Sequence, residues 1–216
     1  MKIVLFVFLS FSFLAQKYEP FEGKLVYSIE MADTSLHKFI PVKTMIIYTN
    51  DTIVRIENET EQFGKQVIIK HTLLNKSILL LKKGDSKFAI QTDLSKGKGI
   101  EKKDSIKSTL TYKKKFGKQK ILDFKANRIE VKMKGKKQKI EILYLKQFSP
   151  KYINAFEEIP GLPVRYYLNT EDGVAVYTLI YFEKVKLNRD LFGVPIDYKK
   201  VNFDQFLDEI LKEKKE

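Results

Sequence analysis

The chain reads as a mainly-β protein with two or three short helices, organised as one large curled antiparallel sheet. Three observations carry this reading. Short segments alternate apolar and polar residues with period two, as half-buried strands do. Brief turn signals separate them, among them Asn50-Asp51, Lys83-Gly84-Asp85 and Glu171-Asp172-Gly173. Sustained helical periodicity is confined to the C-terminus.

Residues 1–16, MKIVLFVFLSFSFLAQ, have one lysine followed by an apolar run from Ile3 to Ala15 broken by two serines. This is the layout of a signal peptide, and the run is shorter than the roughly 20 residues a membrane span requires. Cleavage is expected after Ala15 or Gln16, with Phe13 standing where a small residue is preferred. The expected organisation is therefore a signal peptide over 1–16 and a single antiparallel β domain with a C-terminal helix over 17–216. The address is periplasmic or secreted. With no cysteine, the chain has neither a lipid-bearing thiol nor disulfides, and its core must stabilise it.

In order, strands are expected over 21–31, 42–48, 52–57, 64–72, 77–81, 87–92, 108–116, 120–134, 139–145, 164–168 and 174–182. The first alternates cleanly: Leu25, Tyr27, Ile29 and Met31 on one side, Lys24, Ser28 and Glu30 on the other. Residues 93–107 break the pattern with Gly97, Gly99 and mixed charges, so they read as a surface loop. Ser149-Pro150 can open a short helix, with serine as cap and proline in the first turn. Pro160-Gly161-Leu162-Pro163 cannot lie within a helix or a central strand and must turn the chain between strands. Residues 192–198, containing Pro195, read as an extended edge segment. Asn202 caps a helix over 202–213 whose apolar side is Phe203, Phe206, Leu207, Ile210 and Leu211. A sheet of ten or more strands must curl or close.

The formal net charge is +13, and it is unevenly spread: residues 96–139 hold 17 Lys/Arg against 4 Asp/Glu, and the remainder balances. Such a segment favours an anionic membrane surface or an acidic envelope protein; nucleic acid does not fit an exported chain. The basic docking candidates are Lys113, Lys114, Lys115, Lys136 and Lys137. Solvated strand faces explain the same lysines without a partner.

No constellation for catalysis is evident. His37 and His71 lack a second ligand at metal spacing, serines lack a glycine-elbow context, and no phosphate-binding loop occurs. Glu157-Glu158 and Glu171-Asp172 sit where a helix end and a hairpin explain them. No cofactor, metal or enzymatic activity is expected. Tyr166, Tyr167, Tyr177 and Tyr181 are aromatic strand residues that sheet packing accounts for.

The second half resembles the GLPGLI and DUF4412-like group of small exported proteins from Bacteroidetes-type bacteria. The resemblance rests on FEGKLVYSIE, KQKILDFKANRIEV, EILYL, FEEIPGLPVRYYL and DLFGVPIDYKKV, in order over roughly residues 21–200. Val164-Arg165 stand where that group's motif continues Gly-Leu-Ile. The resemblance implies a half-barrel like that of bacterial lipoprotein carriers, which hold acyl chains in the concavity; it supplies no catalytic residues. Asp51-Thr52-Ile53 and Asp104-Ser105-Ile106 also match the acceptor pattern for O-glycosylation in such bacteria, at Thr52 and Ser105.

The expected function is an exported binding protein that holds a lipid, an acyl chain or another apolar ligand against the concave face. Strand alternation nominates Tyr27, Ile29, Ile69, Leu80, Ile129, Val131, Tyr144, Val176 and Phe182 as the lining. The alternative is a non-catalytic envelope interaction protein with a filled core and a basic docking face. On export, sequencing of the mature N-terminus from the native host is expected to begin at Gln16 or Lys17; a mature chain beginning at Lys2 or Ile3 would contradict it.

Overall fold

Twelve strands hydrogen-bond side by side into one large, open, curled sheet, with one α-helix against it. The structure is a computed structural model, and it describes residues 18–31, 43–60, 64–74, 76–93, 110–133, 139–153, 159–170 and 173–213. The strands are β1 (Glu22–Met31), β2 (Lys43–Asn50), β3 (Ile53–Thr60), β4 (Gly64–His71), β5 (Lys76–Lys83) and β6 (Ser86–Asp93). The rest are β7 (Leu110–Ile121), β8 (Phe124–Met133), β9 (Lys139–Leu145), β10 (Leu162–Thr170), β11 (Gly173–Lys184) and β12 (Lys199–Val201). The helix, α1, is Phe203–Glu213.

Their order across the sheet is β12-β6-β5-β4-β3-β2-β1-β11-β10-β9-β8-β7. Two meanders, β1 to β6 and β7 to β11, therefore meet at the β1–β11 seam. Neighbours are antiparallel except β12, which runs parallel to β6. Tight turns set the registers. Lys83 pairs with Ser86 across Gly84-Asp85, and Ile121 with Phe124 across Leu122-Asp123.

Only one α-helix occurs among the described residues, fewer than the two or three helices expected. Ser149-Pro150 does start a helical turn, and the Ser149 hydroxyl accepts from the Lys151 amide at 3.2 Å, but this 3-10 turn ends after Tyr152. Residues 192–198 are not an extended edge. Asn188 caps a second 3-10 turn over Arg189–Phe192, and a strap then leads to β12, which forms the edge instead. The helix face also differs from expectation. Phe206 packs on Phe88 of β6 with ring centres 5.4 Å apart, whereas Phe203 and Leu207 are 57% and 41% exposed.

The main core lies against the centre and the β7–β11 side of the sheet. Phe21, Leu25, Tyr27, Ile47, Val54, Ile142, Leu145, Phe148, Tyr152, Leu162 and Tyr166 are buried there. Two irregularities shape this region. Between β1 and β11 the register shifts at Val26/Tyr27, leaving Ile180 unpaired; between β10 and β9 it shifts between Pro163 and Arg165. A proline can sit in a sheet at such a bulge because its missing N–H is not called on. The Pro163 carbonyl is taken by the buried Tyr27 hydroxyl, which reaches across β11 and donates at 2.8 Å. Burial pushes the Tyr27 phenol well above its ordinary pKa, so it stays a neutral donor.

The segment from Lys146 to Gly161 joins β9 to β10. Phe148 and Tyr152 pack with Phe21, and Phe148 also meets Phe182 at 5.1 Å. The Leu162 amide donates to the Phe148 carbonyl at 2.9 Å. Gly161 is required here by closeness: a Cβ at this position would lie 2.3 Å from the Leu145 carbonyl oxygen. The segment is also tied to the β2–β3 turn. The Asp51 carboxylate accepts from the Tyr152 hydroxyl and pairs with the Lys151 ammonium at 2.9 Å. Burial by itself would raise the Asp51 pKa, but these two partners and the Phe21 amide hold it below the usual carboxylate range.

Two outcomes follow from these contacts. Gly161→Ala is expected to lower stability by about 1–3 kcal/mol, since a methyl must displace the backbone of β9; an unchanged denaturant midpoint would contradict the close approach. Because the folded pKa of Asp51 is lowered, its stabilisation is present at neutral pH and fades as pH falls through the carboxylate range. Asp51→Asn is therefore expected to lower the thermal midpoint at pH 7 and to flatten its fall between pH 5 and pH 3. Parallel pH profiles of variant and parent would contradict the pairing.

Candidate ligand pocket

The nine residues nominated as a cavity lining do not share one face. Directly opposite residues in neighbouring strands point to the same side of a sheet. Tyr27 faces Met45, Ile47 faces Ile56, Ile56 faces Ile68 and Ile68 faces Leu79, so Ile69 and Leu80 lie on the other side. Val176 pairs with Glu30 and also lies opposite to Tyr27. Ile29 and Phe182 share the Tyr27 side. Ile129, Val131 and Tyr144 share one face of β8 and β9 and belong, with Tyr27 and Phe182, to the main core. Around Tyr27 that core is filled: its ring meets Tyr166 edge-on at 5.8 Å, and Tyr166 stacks on Tyr177 at 4.8 Å.

A pocket among the described residues lies elsewhere. A space of about 360 Å³ opens at the β12 end, lined by Ile78, Ala89, Gln91, Val194, Lys200, Val201, Asn202 and Gln205. Its floor is the side of β5 and β6 that also carries Leu80 and Ala89, paired in register. Val67, Ile69, Leu80 and Ala89 form a small second core there, and Ile78, Val194 and Tyr198 pack against it.

The strap over Val185–Tyr198 makes the roof, and four polar ties fix it. The Val185 amide donates to the Glu22 carbonyl at 3.2 Å, and the Leu187 amide to the Glu22 carboxylate at 2.8 Å. Arg55 donates to the Leu191 carbonyl at 3.0 Å, and Lys87 pairs with Asp197. The Asp197 pairing holds the Lys87 pKa above its ordinary value. Sequence reasoning missed this arrangement because the strap has no period; Pro195 and Asn188 mark it as irregular but do not say which face it crosses.

At the mouth the backbone passes from β12 into α1. Asn202 and Gln205 cap each other: the Gln205 amide donates to the Asn202 side-chain oxygen at 2.8 Å, and the Asn202 amide to the Gln205 side-chain oxygen at 2.9 Å. This reciprocal cap is the Asn-x-x-Gln form of the capping box. It uses both side-chain oxygens and leaves the positive end of the helix dipole beside the cavity. The neighbouring cations are engaged, Lys199 with Glu209 and Lys87 with Asp197. Lys200, opposite Ala89 in the register, has no ion-pair partner among the described residues. The site thus joins apolar walls from Ile78, Ala89, Val194 and Val201 to one uncommitted ammonium and the Gln91 amide.

The remaining sequence candidates are dispersed. Lys113 and Lys115 stand opposite Glu130 and Arg128, whereas Lys114 stands opposite Ile129 on the other face. Lys115 pairs with Glu130 at 2.9 Å. Lys136, Lys137, Ser105, His37, Glu157-Glu158 and Glu171-Asp172 lie outside the described residues, as does 1–16. Thr52 is exposed at the β2–β3 turn, with its hydroxyl 3.3 Å from the Asn50 side-chain oxygen. Of the motif Pro160, Gly161, Leu162 and Pro163, the last two are not a turn between strands as expected but the start of β10, paired with Leu145 and Tyr144 of β9. The His71 ring nitrogen accepts from the Leu73 amide at 3.2 Å. Among the described residues, no group of three His, Cys, Asp or Glu side chains could hold a metal ion.

No family model and no curated protein match the chain. Among solved structures it is similar to PNGF-II in a C2 crystal form, with a TM-score of 0.51 and 13% identity over 88% of this chain and 32% of that one. A P21 form of PNGF-II gives a TM-score of 0.48, 13% identity, and 88% and 33% coverage. The chain spans about a third of PNGF-II, and at this identity the likeness concerns the fold alone.

Proposed function

We propose that the protein is a non-catalytic ligand-binding module whose site is the pocket between β5, β6, β12, the strap and the start of α1. The observation that carries this reading is a cavity of about 360 Å³ with a partly apolar lining and, at its mouth, Lys200, which has no ion-pair partner among the described residues. That volume lies at the lower end of the range for small-molecule sites, about 300–1,000 Å³. Apolar walls reward an aliphatic body at about 0.8 kcal/mol per CH₂ taken from water. Lys200 and the helix N-terminus favour a negative head. The ligand class is therefore a short-chain carboxylate or a similarly small amphipathic anion, not a full acyl chain laid along the concave face. The export expected from residues 1–16, the half-barrel kinship with lipoprotein carriers, the GLPGLI-like resemblance and the single domain over 17–216 belong to the same proposal.

Calorimetric titration with sodium octanoate tests it. Binding is expected with Kd on the order of 0.1 mM, and the neutral analogue octanol is expected to bind more weakly. Lys200→Gln should weaken octanoate about tenfold, equivalent to ~1.4 kcal/mol. Val194→Trp, which fills the pocket from the roof, should abolish binding while the thermal midpoint stays close to the parent. Undetectable octanoate binding, or binding indifferent to both substitutions, would overturn the assignment.

A further inference from the structure

The edge strand β7 carries an irregularity that packing does not explain. Its register with β8 skips from Lys115↔Arg128 to Lys118↔Asn127, so Phe116 and Gly117 are extruded. Phe116 is 98% exposed. The bulge is held in place. Gly117 adopts φ +80°, which glycine takes without strain, and Arg128 donates to the Phe116 carbonyl at 3.4 Å while its fork grips Glu141 at 2.7 and 3.2 Å. An exposed phenyl ring on a braced bulge costs solubility and contributes nothing to the core.

Its surroundings are basic. Lys114, Lys118 and Lys120 of β7 and Lys125 of β8 are exposed, and pairing through Ile129, Asn127 and Lys125 puts all four on one face. None has an acidic partner among the described residues; Glu130 is taken by Lys115 and Lys139 and Glu141 by Arg128, leaving Asp123 at the hairpin tip as the one exposed acid of β7, β8 and their turn against these four lysines. At the hairpin tip Leu122 is 37% exposed, about 20 Å from Phe116 at strand rise. Ordinary edge protection accounts for lysines and for a bulge, but not for an aromatic residue pushed fully into water.

We infer that the β7–β8 hairpin is a peripheral docking surface for an anionic lipid bilayer, with Phe116 entering the headgroup region and Lys114, Lys118, Lys120 and Lys125 meeting lipid phosphates. Aromatic rings favour that interface, and clustered lysines are drawn to anionic leaflets. No helix among the described residues is long and apolar enough to cross a membrane. An acidic protein could use the same lysines; the soluble-polyanion arm of the test below separates it from a bilayer. The inference is independent of the pocket, which lies at the opposite edge of the sheet.

The chain has no tryptophan, so Phe116→Trp places a lone reporter at the bulge. With phosphatidylglycerol vesicles, its emission is expected to shift to the blue and to be quenched by brominated acyl chains. Phosphatidylcholine vesicles should leave it unchanged. Replacing Lys114, Lys118, Lys120 and Lys125 together by Gln, or adding 0.5 M salt, should reduce vesicle cosedimentation at least tenfold. Phe116→Ala should weaken it without altering the melting curve. Absent binding, equal binding to both lipids, or binding without a change in the indole spectrum would overturn the inference. Binding of soluble polyglutamate with no vesicle binding would also overturn it and point to an acidic protein.

Discussion

The hydrogen bond from the Tyr27 hydroxyl to the Pro163 carbonyl is the constraint on which the rest depends. It spans β11 and ties the first meander to the second where both β10 and β11 are bulged. Bulges increase local twist and bend the bulged strand, so a sheet of this width curls there instead of lying flat. A buried phenol needs a partner, and an irregular strand leaves a carbonyl needing one. Each defect satisfies the other. The curl then brings Phe21, Phe148, Tyr152, Phe124 and Phe182 together, and these rings fill the interior. Among the described residues, these rings occupy the interior beside the seam.

The two edges differ in the way they are finished. β12 is three residues long and shielded by α1 and the strap, and the cavity lies beneath that cover. β7 is twelve residues long and protected by lysines and a bulge. An open sheet must deal with unpaired backbone at both edges. Here one solution creates a half-open, partly apolar hollow beside a helix N-terminus, and the other a charged ridge with one exposed ring. The segment holding the whole charge excess in the sequence includes the second edge.

Much of the fold was legible because strand alternation is local. Lys139–Leu145 matches its expected bounds and β1 and β4 differ from theirs by one residue, whereas the strand expected over 120–134 contains the Leu122-Asp123 turn, so that β7 runs on to Ile121 and β8 begins only at Phe124. The prolines of PGLP marked an irregular junction, but Leu162 and Pro163 lie within β10, a central strand, and not in a turn between strands, because the bulge facing β9 makes no demand on the proline nitrogen; Gly161 is required by its approach to Leu145. What alternation cannot convey is which side of a strand the rest of the chain covers. Ile69 and Leu80 are as apolar as Tyr27, yet they serve the opposite face because the strap crosses there. Val176 fails for a similar reason: β11 is apolar on both sides, and only its register with Glu30 reveals the face. The helix also misled. Phe203 and Leu207 complete an amphipathic stripe on paper, but β6 at the narrow sheet edge has room for Phe206 and not for its neighbours.

The central proposal is one of place: a ligand held at the rim under the strap, not along the concave face around Tyr27. Amide chemical-shift mapping during titration with octanoate tests that claim most directly. The account predicts shifts at Ala89, Gln91, Val194 and Lys200 to Gln205, with Tyr27, Tyr166 and Leu179 unmoved. Shifts centred on Tyr27, Tyr166 and Leu179, with the rim silent, would contradict it.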